Sequence, residues 1–429
     1  MVSPSEPASV AERLAASLAP LLGPVEVANL ERLSGGASRE TWAFRAGGRD
    51  LVLRRDPPGR PGPPGSMALE AAAIRAAHRA GLAAPEILLA DDGTSLGTAG
   101  LVMERVPGET IARRILREDG LAGARERLTS QLGTFLGRLH RVDPAEVPGL
   151  VGSDPLETYW AVYQLVADES PTFEATYDWL VDHRPPPPVR AVIVHGDLRL
   201  GNLVVGPEGL RAVLDWELVH LGDPLEDLAW LCTKAWRFGA PLPVAGVGEL
   251  GELFGAYERA SGDGIDATAF HWWLVLSTLK WGIMCMGQAA AHLSGASRSI
   301  ELAAIGRRVA EQEWDLIELV APGEWEKARA AAPRAAFPDE PGPYGRPTAR
   351  ELLEAVREFL AGRVVPETSG QLSFHARVAA NAVAIVEREL SLGIPRATPP
   401  CGERDWAVLA TAVRDRLEVA NPKALGSGS

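Results

Sequence analysis

The stretch VIVHGDLRLGNLVV, residues 192–205, decides how this chain is read. Val192, Ile193 and Val194 are consecutive β-branched residues and read as a buried strand running in. Leu203, Val204 and Val205 read as a short strand running out. The loop between them holds Gly196 and Gly201 and carries His195, Asp197 and Asn202. A loop gripped by two buried strands is a rigid platform for functional groups. The same residues also suit a tight turn in which Asp and Asn cap their own backbone. On this stretch alone both readings stay open.

Downstream, RAVLDWE (211–217) reads as another strand, with Asp215 thirteen residues after Asn202. One acid, one amide and a second acid therefore leave β elements that can pair as a hairpin and bring the three together. Phosphoryl transfer from ATP asks for such a set. The protein must hold a polyphosphate, hold Mg²⁺ against it and orient a hydroxyl in line. Mg²⁺ takes one or two oxygen side chains plus waters and phosphate oxygens. A carboxylate beside the hydroxyl accepts its proton.

Composition limits the partners. The 429 residues carry a formal net charge of −13 and are 46% apolar. A proper core is expected, and general binding to nucleic acid or to an anionic membrane is not. Cys232, Cys285 and Cys401 lie far apart, which argues against a disulfide framework or structural zinc and fits a reducing cytoplasm. The N-terminus reads as an amphipathic helix over residues 8–22, without the basic region of a signal peptide. The most apolar run, 272–291, has Lys280 at its centre and reads as a buried core helix.

Along the chain, residues 25–33, 40–46, 50–55, 86–90 and 98–106 have strand character, and MALEAAAIRAAHRA (67–80) reads as a helix. After Pro107-Gly108 long helices take over, at 121–141, 156–169 and 171–183. Five prolines and two glycines mark 331–347 as a linker or boundary. Three amphipathic helices follow, at 348–360, 374–393 and 403–419. The fold expected is α+β: a small β-rich N-lobe (1–107), a helical C-lobe (108–328), a Pro-rich linker (329–347) and a small all-α domain (348–429).

HGDLRLGN followed by LDWE resembles the aminoglycoside phosphotransferase and choline kinase type of protein-kinase-like enzyme, over residues 25–320. The resemblance implies a bilobal kinase-like fold using ATP and Mg²⁺. It makes Asp197 the catalytic base, Asn202 and Asp215 the Mg²⁺ ligands, and His195 a structural brace of the loop. ERLSGGASRETW (31–42) is similar to the family's phosphate loop, with Gly35, Gly36 and Ser38 as donors. Arg54 falls at the strand lysine and Glu70 at its helix partner. LVMERVPG (101–108) resembles the hinge, whose backbone would meet adenine near Glu104 to Val106. Asp227, in GDPLEDLAWL, would anchor the catalytic loop. Glu217 falls where some relatives have a second acid, as an outer metal contact or a solvated strand-end residue.

Arg54 departs from the pattern. Alternation places it on one face with Val52 and puts Arg55 on the other. An arginine fork is no simple replacement for lysine. Either Arg54 bridges Glu70 and the phosphates, or the chain is a nucleotide-binding pseudokinase; retention of Asp197, Asn202 and Asp215 favours the first.

The acceptor site is expected in the helical lobe beside Asp197, with Glu217, Trp281 and Arg298 as candidates. Residues 301–319 mix acids with Arg307 and Arg308 like a solvated helix face, so an aminoglycoside pocket is not inferred; antibiotic kinase activity stays as an alternative. Residues 280–316 are similar to the subgroup containing the kinase-like domain joined to acyl-CoA dehydrogenases, which implies a hydroxyacyl thioester as acceptor. The last helices resemble a small domain of unknown function that follows such kinases; homodimerisation and a lid role are both open.

Overall fold

The computed structural model describes residues 5–33, 39–166, 168–341, 343 and 345–426. By contacts the chain divides into two compact units, residues 1–153 with 186–274, and residues 154–185 with 275–429.

The first unit opens with the helix Ser5–Leu22. Five strands follow: β1 (Ala28–Leu33), β2 (Glu40–Ala46), β3 (Arg49–Arg55), β4 (Ile87–Asp92) and β5 (Ala99–Glu104). They form an antiparallel sheet in the order β1-β2-β3-β5-β4. Gly47 and Gly48 both have positive φ, 58° and 76°, the geometry a two-residue hairpin turn between β2 and β3 requires.

Strand alternation sorts this sheet into two chemistries. On one face Trp42 lies opposite Leu53 and Phe44 opposite Leu51. These side chains form one core with Val10, Leu14 and Leu18 of the first helix. The spacing of four puts those three on one helical stripe, and each buried side chain contributes roughly 1.5–3 kcal/mol. The other face carries Ala43, Val52 and Arg54. Arg55 lies on the core side, ion-paired with Glu40 at 2.7 Å. The helix Ser66–Arg79, which carries Glu70, packs against β4 and β5.

Beyond the sheet, the helices Ala122–Leu139 and Leu250–Ser261 lie along each other. Four short strands complete the unit: β6 (Val192–Val194), β7 (Leu203–Gly206), β8 (Gly209–Val213) and β9 (His220–Gly222). β7 and β8 pair as a hairpin, whereas β6 pairs with β9. The strand expected over 211–217 is shorter than read. It stops at Val213, because the backbone turns: Asp215 adopts φ 65° and the buried Trp216 donates its indole N–H to the Val213 carbonyl at 3.0 Å.

The second unit is helical. Pro155–Leu165 and Pro171–Asp182 are capped by Asp154 and Ser170, each with proline at the first helical position. The long helix Ala267–Leu293 enters this unit from Val275 onward. Its core joins Trp314 and Ile317 of the helix Val309–Val320 to Leu409, Val413 and Leu417 of Trp406–Ala420. The Pro-rich stretch is fastened to this unit. Arg334 is held by Glu418 at 2.8 Å and the Asp415 carbonyl at 2.9 Å, and Phe337 N–H donates to the Ser391 carbonyl at 2.7 Å. Ala349–Phe359 packs on Gly370–Leu392 and buries none of its own side chains.

The reading of 301–319 as a solvated face is corrected. Gln312, Glu313, Trp314, Asp315 and Leu316 are all buried. Glu313 accepts from Ser170 Oγ at 2.6 Å and pairs with Arg416 at 2.7 Å, so its charge is absorbed by chain distant in sequence. Among the described residues, no helix is long and apolar enough to cross a membrane.

Candidate active site

The first unit brings together Arg54, Glu70, His195, Asp197, Asn202, Asp215, Glu217 and Asp227. Gly35, Gly36 and Ser38 lie outside the described residues. Trp281 and Arg298 belong to the second unit, where Trp281 is buried with the Arg308 guanidinium 5.8 Å from its ring and Arg298 is exposed. Lys280, also buried there, has its ammonium 5.1 Å from the Tyr159 ring.

The loop after β6 is built on Asp227, which sits in the helix Pro224–Cys232 and is fully buried. Its carboxylate accepts the backbone N–H groups of His195 at 2.8 Å and Gly196 at 2.9 Å, and lies 3.3 Å from His140 Nε2. Burial pushes this carboxyl upward, but His140 and His195 and the backbone donors outweigh it and hold Asp227 below the usual range. Burial depresses His195, only partly offset by the charge of Asp227. The His195 ring spans the loop, with Nε2 3.1 Å from the Leu214 carbonyl and Nδ1 accepting Asp197 N–H at 3.2 Å. Gly196 has φ 81°, and a Cβ there would stand 2.6 Å from the Leu218 carbonyl oxygen.

Asp197 is thereby presented just past a fixed turn, its side chain 14% exposed. Asn202 closes the loop: its carboxamide N–H₂ donates to Asp197 Oδ2 at 2.7 Å and to the Asp197 carbonyl at 2.8 Å. That leaves the carboxamide oxygen as the group Asn202 offers outward. The loop is tied to the turn that carries Asp215, because Leu214 N–H donates to the Asn202 carbonyl at 2.8 Å.

Across from these residues stands Arg54. One terminal nitrogen pairs with Glu70, and the other pairs with Asp215 and lies 3.1 Å from Glu217. Burial pulls the guanidinium downward, but Glu70, Asp215 and Glu217 together raise it above its usual value. Glu217 is raised by burial and then by its like-charged neighbour Asp215, with Arg54 opposing. Sequence reasoning missed Arg39, which is buried, pairs with the second oxygen of Glu70 and lies 3.4 Å from Asp56. It also missed Arg199 and Trp230, both of which donate to Asp197. No sequence spacing signals Arg39; Arg199 lies inside the quoted motif and was open to notice.

At the expected hinge, Glu104 pairs with Leu51 in the β3–β5 register, and its N–H donates to the Glu86 carbonyl at 2.9 Å. Val106 follows, half-buried. Glu109 then exchanges two backbone hydrogen bonds with Val205, at 2.9 and 3.0 Å, which joins the hinge segment to the β7–β8 hairpin.

The model of the phosphotransferase enzyme family matches residues 29–271, more than half of the chain and the whole of this constellation. The chain belongs to that family. A domain of unknown function is matched over residues 366–400. Acyl-CoA dehydrogenase family member 11 of Gallus gallus is 30% identical over 325 residues, which is 68% of this chain and 41% of that protein. Family member 10 of Mus musculus is 32% identical over 238 residues, 52% of this chain and 21% of that protein. The phosphotransferase thus spans well under half the length of these relatives.

Among solved structures, a protein from Ralstonia eutropha JMP134 assigned as an aminoglycoside phosphotransferase superposes with a TM-score of 0.57 at 24% identity, over 75% of this chain and 99% of that one. A choline/ethanolamine kinase family protein from Mesorhizobium loti gives 0.51 at 20% identity, over 74% and 96%. At such identities the likeness is one of fold, and the fold is protein-kinase-like.

Proposed function

We propose that this phosphotransferase moves the γ-phosphate of ATP to a hydroxyl of a small molecule, and that the acceptor class is a hydroxyacyl thioester of coenzyme A. The observation that carries the reaction type is the joint presentation of Asp197, Asn202 and Asp215 by one loop and the hairpin that follows it. Asp197 is the general base. Asn202 and Asp215 offer a carboxamide oxygen and a carboxylate, hard oxygen donors in the small number that Mg²⁺ takes from protein. Bound there, Mg²⁺ supplies neutralisation of the phosphate charge. Arg54 then keeps the Glu70 side of the site positively charged, and the Glu104–Val106 segment would meet a purine edge through its carbonyls and the Val106 N–H, since the Glu104 and Arg105 N–H groups donate to the Glu86 and Asp50 carbonyls. The thioester class is supported by the acyl-CoA dehydrogenase relatives, each of which extends far beyond the matched part. In the second unit the acids Glu311 and Glu313 are already engaged, with Arg308 and Asn421, and with Ser170 and Arg416, so they do not favour the aminoglycoside alternative.

The test is a thermal melt with and without Mg-ATP on the wild type and on Asp215→Ala. A ligand at about one hundred times its dissociation constant stabilises the fold by roughly 2.7 kcal/mol, a visible rise in Tm. A rise in the wild type that Asp215→Ala loses supports the reading, and a panel of hydroxyacyl-CoA thioesters read by mass spectrometry for a phosphate adduct then tests the acceptor. No rise at millimolar nucleotide overturns it.

A second reading, a nucleotide-binding protein without transfer activity, has Arg54 in its favour, because the guanidinium occupies the Asp215 carboxylate. Arg54→Lys separates the two. Turnover present in the wild type and kept in the variant supports the kinase; turnover that appears only in the variant supports the second reading.

A further inference from the structure

Asp197 carries more donors than a base needs for orientation by its own loop. Trp230 Nε1–H donates to Oδ1 at 2.9 Å. Arg199 Nε–H is shared between Oδ1 at 3.1 Å and Oδ2 at 3.3 Å. Asn202 Nδ2–H donates to Oδ2 at 2.7 Å. Each carboxylate oxygen has two acceptor directions. Oδ1 has both filled. Oδ2 has one filled by Asn202 and only the long arm of a shared hydrogen bond on the other.

Trp230 comes from outside the loop. It lies on the same helix as Asp227, three residues on, and positions three apart share a helix face. One face of Pro224–Cys232 therefore grips the loop twice. Asp227 holds the backbone of His195 and Gly196, and Trp230 holds the side chain of Asp197. The indole cannot wander. It is 1% exposed, and its ring lies 5.3 Å from that of Trp236, over which the Arg199 guanidinium sits at 4.9 Å. An indole N–H is a donor only, so Trp230 neither takes up a proton nor changes role during a reaction.

We propose that Trp230 is a positioning residue for Asp197, saturating Oδ1 so that Oδ2 is the oxygen that receives the proton of the acceptor hydroxyl. The proposal rests on the kinase reading above. In the step it describes, the acceptor O–H proton passes to Oδ2 as the acceptor oxygen bonds to the γ-phosphorus. The bond from that phosphorus to the β–γ bridging oxygen breaks, and ADP leaves with the electron pair. Rotation of the carboxylate away from this setting would misplace the base by a distance that matters for in-line transfer.

The test uses the full chain labelled with ¹⁵N-tryptophan, and the variants Trp230→Phe and Asp197→Asn. Phenylalanine keeps an aromatic ring at 230 and deletes the donor. The indole signal of Trp230 is assigned by its loss in Trp230→Phe. In Asp197→Asn that signal is expected to shift, and its exchange with solvent to quicken by about tenfold, as for a hydrogen bond to a charged acceptor weakened to a neutral one. In Mg-ATP turnover with water as acceptor, Trp230→Phe is expected to lower kcat about tenfold with KM for ATP within twofold. A Trp230 signal unmoved in Asp197→Asn overturns the contact even if Trp230→Phe misfolds. An unchanged kcat in Trp230→Phe, beside an inactive Asp197→Asn, overturns the positioning role. A wild type that neither binds nor turns over Mg-ATP overturns the kinase reading and the role together, and is told apart because the indole signal still reports the contact.

Discussion

Replacing Asp227 by asparagine removes one acceptor oxygen from the most buried junction of the candidate site. In the native chain that carboxylate takes two backbone N–H groups, from His195 and Gly196, and stands against His140. Asparagine keeps one oxygen and turns an N–H₂ toward a donor, so one backbone N–H is left without an acceptor and the charge facing His140 is gone. A buried donor stranded in this way costs about 1–3 kcal/mol, and more when the lost partner is ionised. Taking about 3 kcal/mol for the pair of losses, the equilibrium constant for local opening of the loop rises by about 150-fold. Hydrogen exchange read by mass spectrometry reports this directly, because local opening has its own free energy. Peptides covering 192–204 should lose protection by about two orders of magnitude, while peptides covering 406–420 in the second unit should not change. Protection at 192–204 within threefold of the wild type would refute the assignment of Asp227 as the anchor.

The pH dependence gives the same experiment a second arm. Asp227 has a folded-state pKa below its unfolded value of about 3.9. The unfolded chain therefore binds more protons on acidification, and the carboxylate's contribution is complete above about pH 4 and lost as pH falls through the folded value. Wild-type loop protection should fall along that acid limb. Asp227→Asn, with nothing to titrate, should lack that component.

Two further outcomes are expected. Gly196→Ala places a side chain at φ 81° and a Cβ 2.6 Å from the Leu218 carbonyl oxygen; the backbone cost alone is about 1–2 kcal/mol, and the overlap must displace the turn before Asp197, so steady-state kinetics should show kcat down at least about tenfold with ATP affinity nearly unchanged. Cys401 is exposed, but its thiol lies 2.7 Å from a Glu169 carboxylate oxygen, and that hydrogen bond, then burial and Glu174, push it up to about 11; iodoacetamide at pH 8 should modify it more slowly than a free thiol, and Glu169→Gln should speed the reaction.

What was readable in the sequence was what local chemistry controls. β2 falls on 40–46 because Trp42, Phe44 and Ala46 take one sheet face and Thr41, Ala43 and Arg45 the other, and the same alternation separates Arg54 from Arg55. The chemistry-bearing loop was legible because a β-branched run and two glycines frame it. The misreadings have two causes, a partner far away in the chain and a local backbone turn. Residues 309–320 look solvated by composition, but Glu313 meets Ser170 across 143 residues of sequence, and Trp314 packs on a helix that begins at Trp406. The end of β8 at Val213 was invisible because a positive φ at Asp215 carries no compositional mark.

The arginine that breaks the family pattern is explained by a residue no motif contains. Glu70 has two carboxylate oxygens, and Arg39 holds one of them. Arg54 therefore needs only one of its terminal nitrogens for Glu70, and the other is available to reach Asp215 and Glu217. A lysine ammonium in that place is a single point of charge and would have to choose between Glu70 on the helix and the turn that carries Asp215; a planar fork spans both. Burial pulls against the charge of Arg54, but the three acids around it outweigh burial and favour the charged guanidinium. The guanidinium therefore supplies the positive charge that Asp215 and Glu217 would otherwise lack. Under the proposed kinase reading, a metal ion at Asp215 would exchange one cation for another there, and Arg39 would keep Glu70 paired. The pair Arg39 and Arg54 thus shares the two oxygens of Glu70, and the second arm of Arg54 carries positive charge across to Asp215 and Glu217.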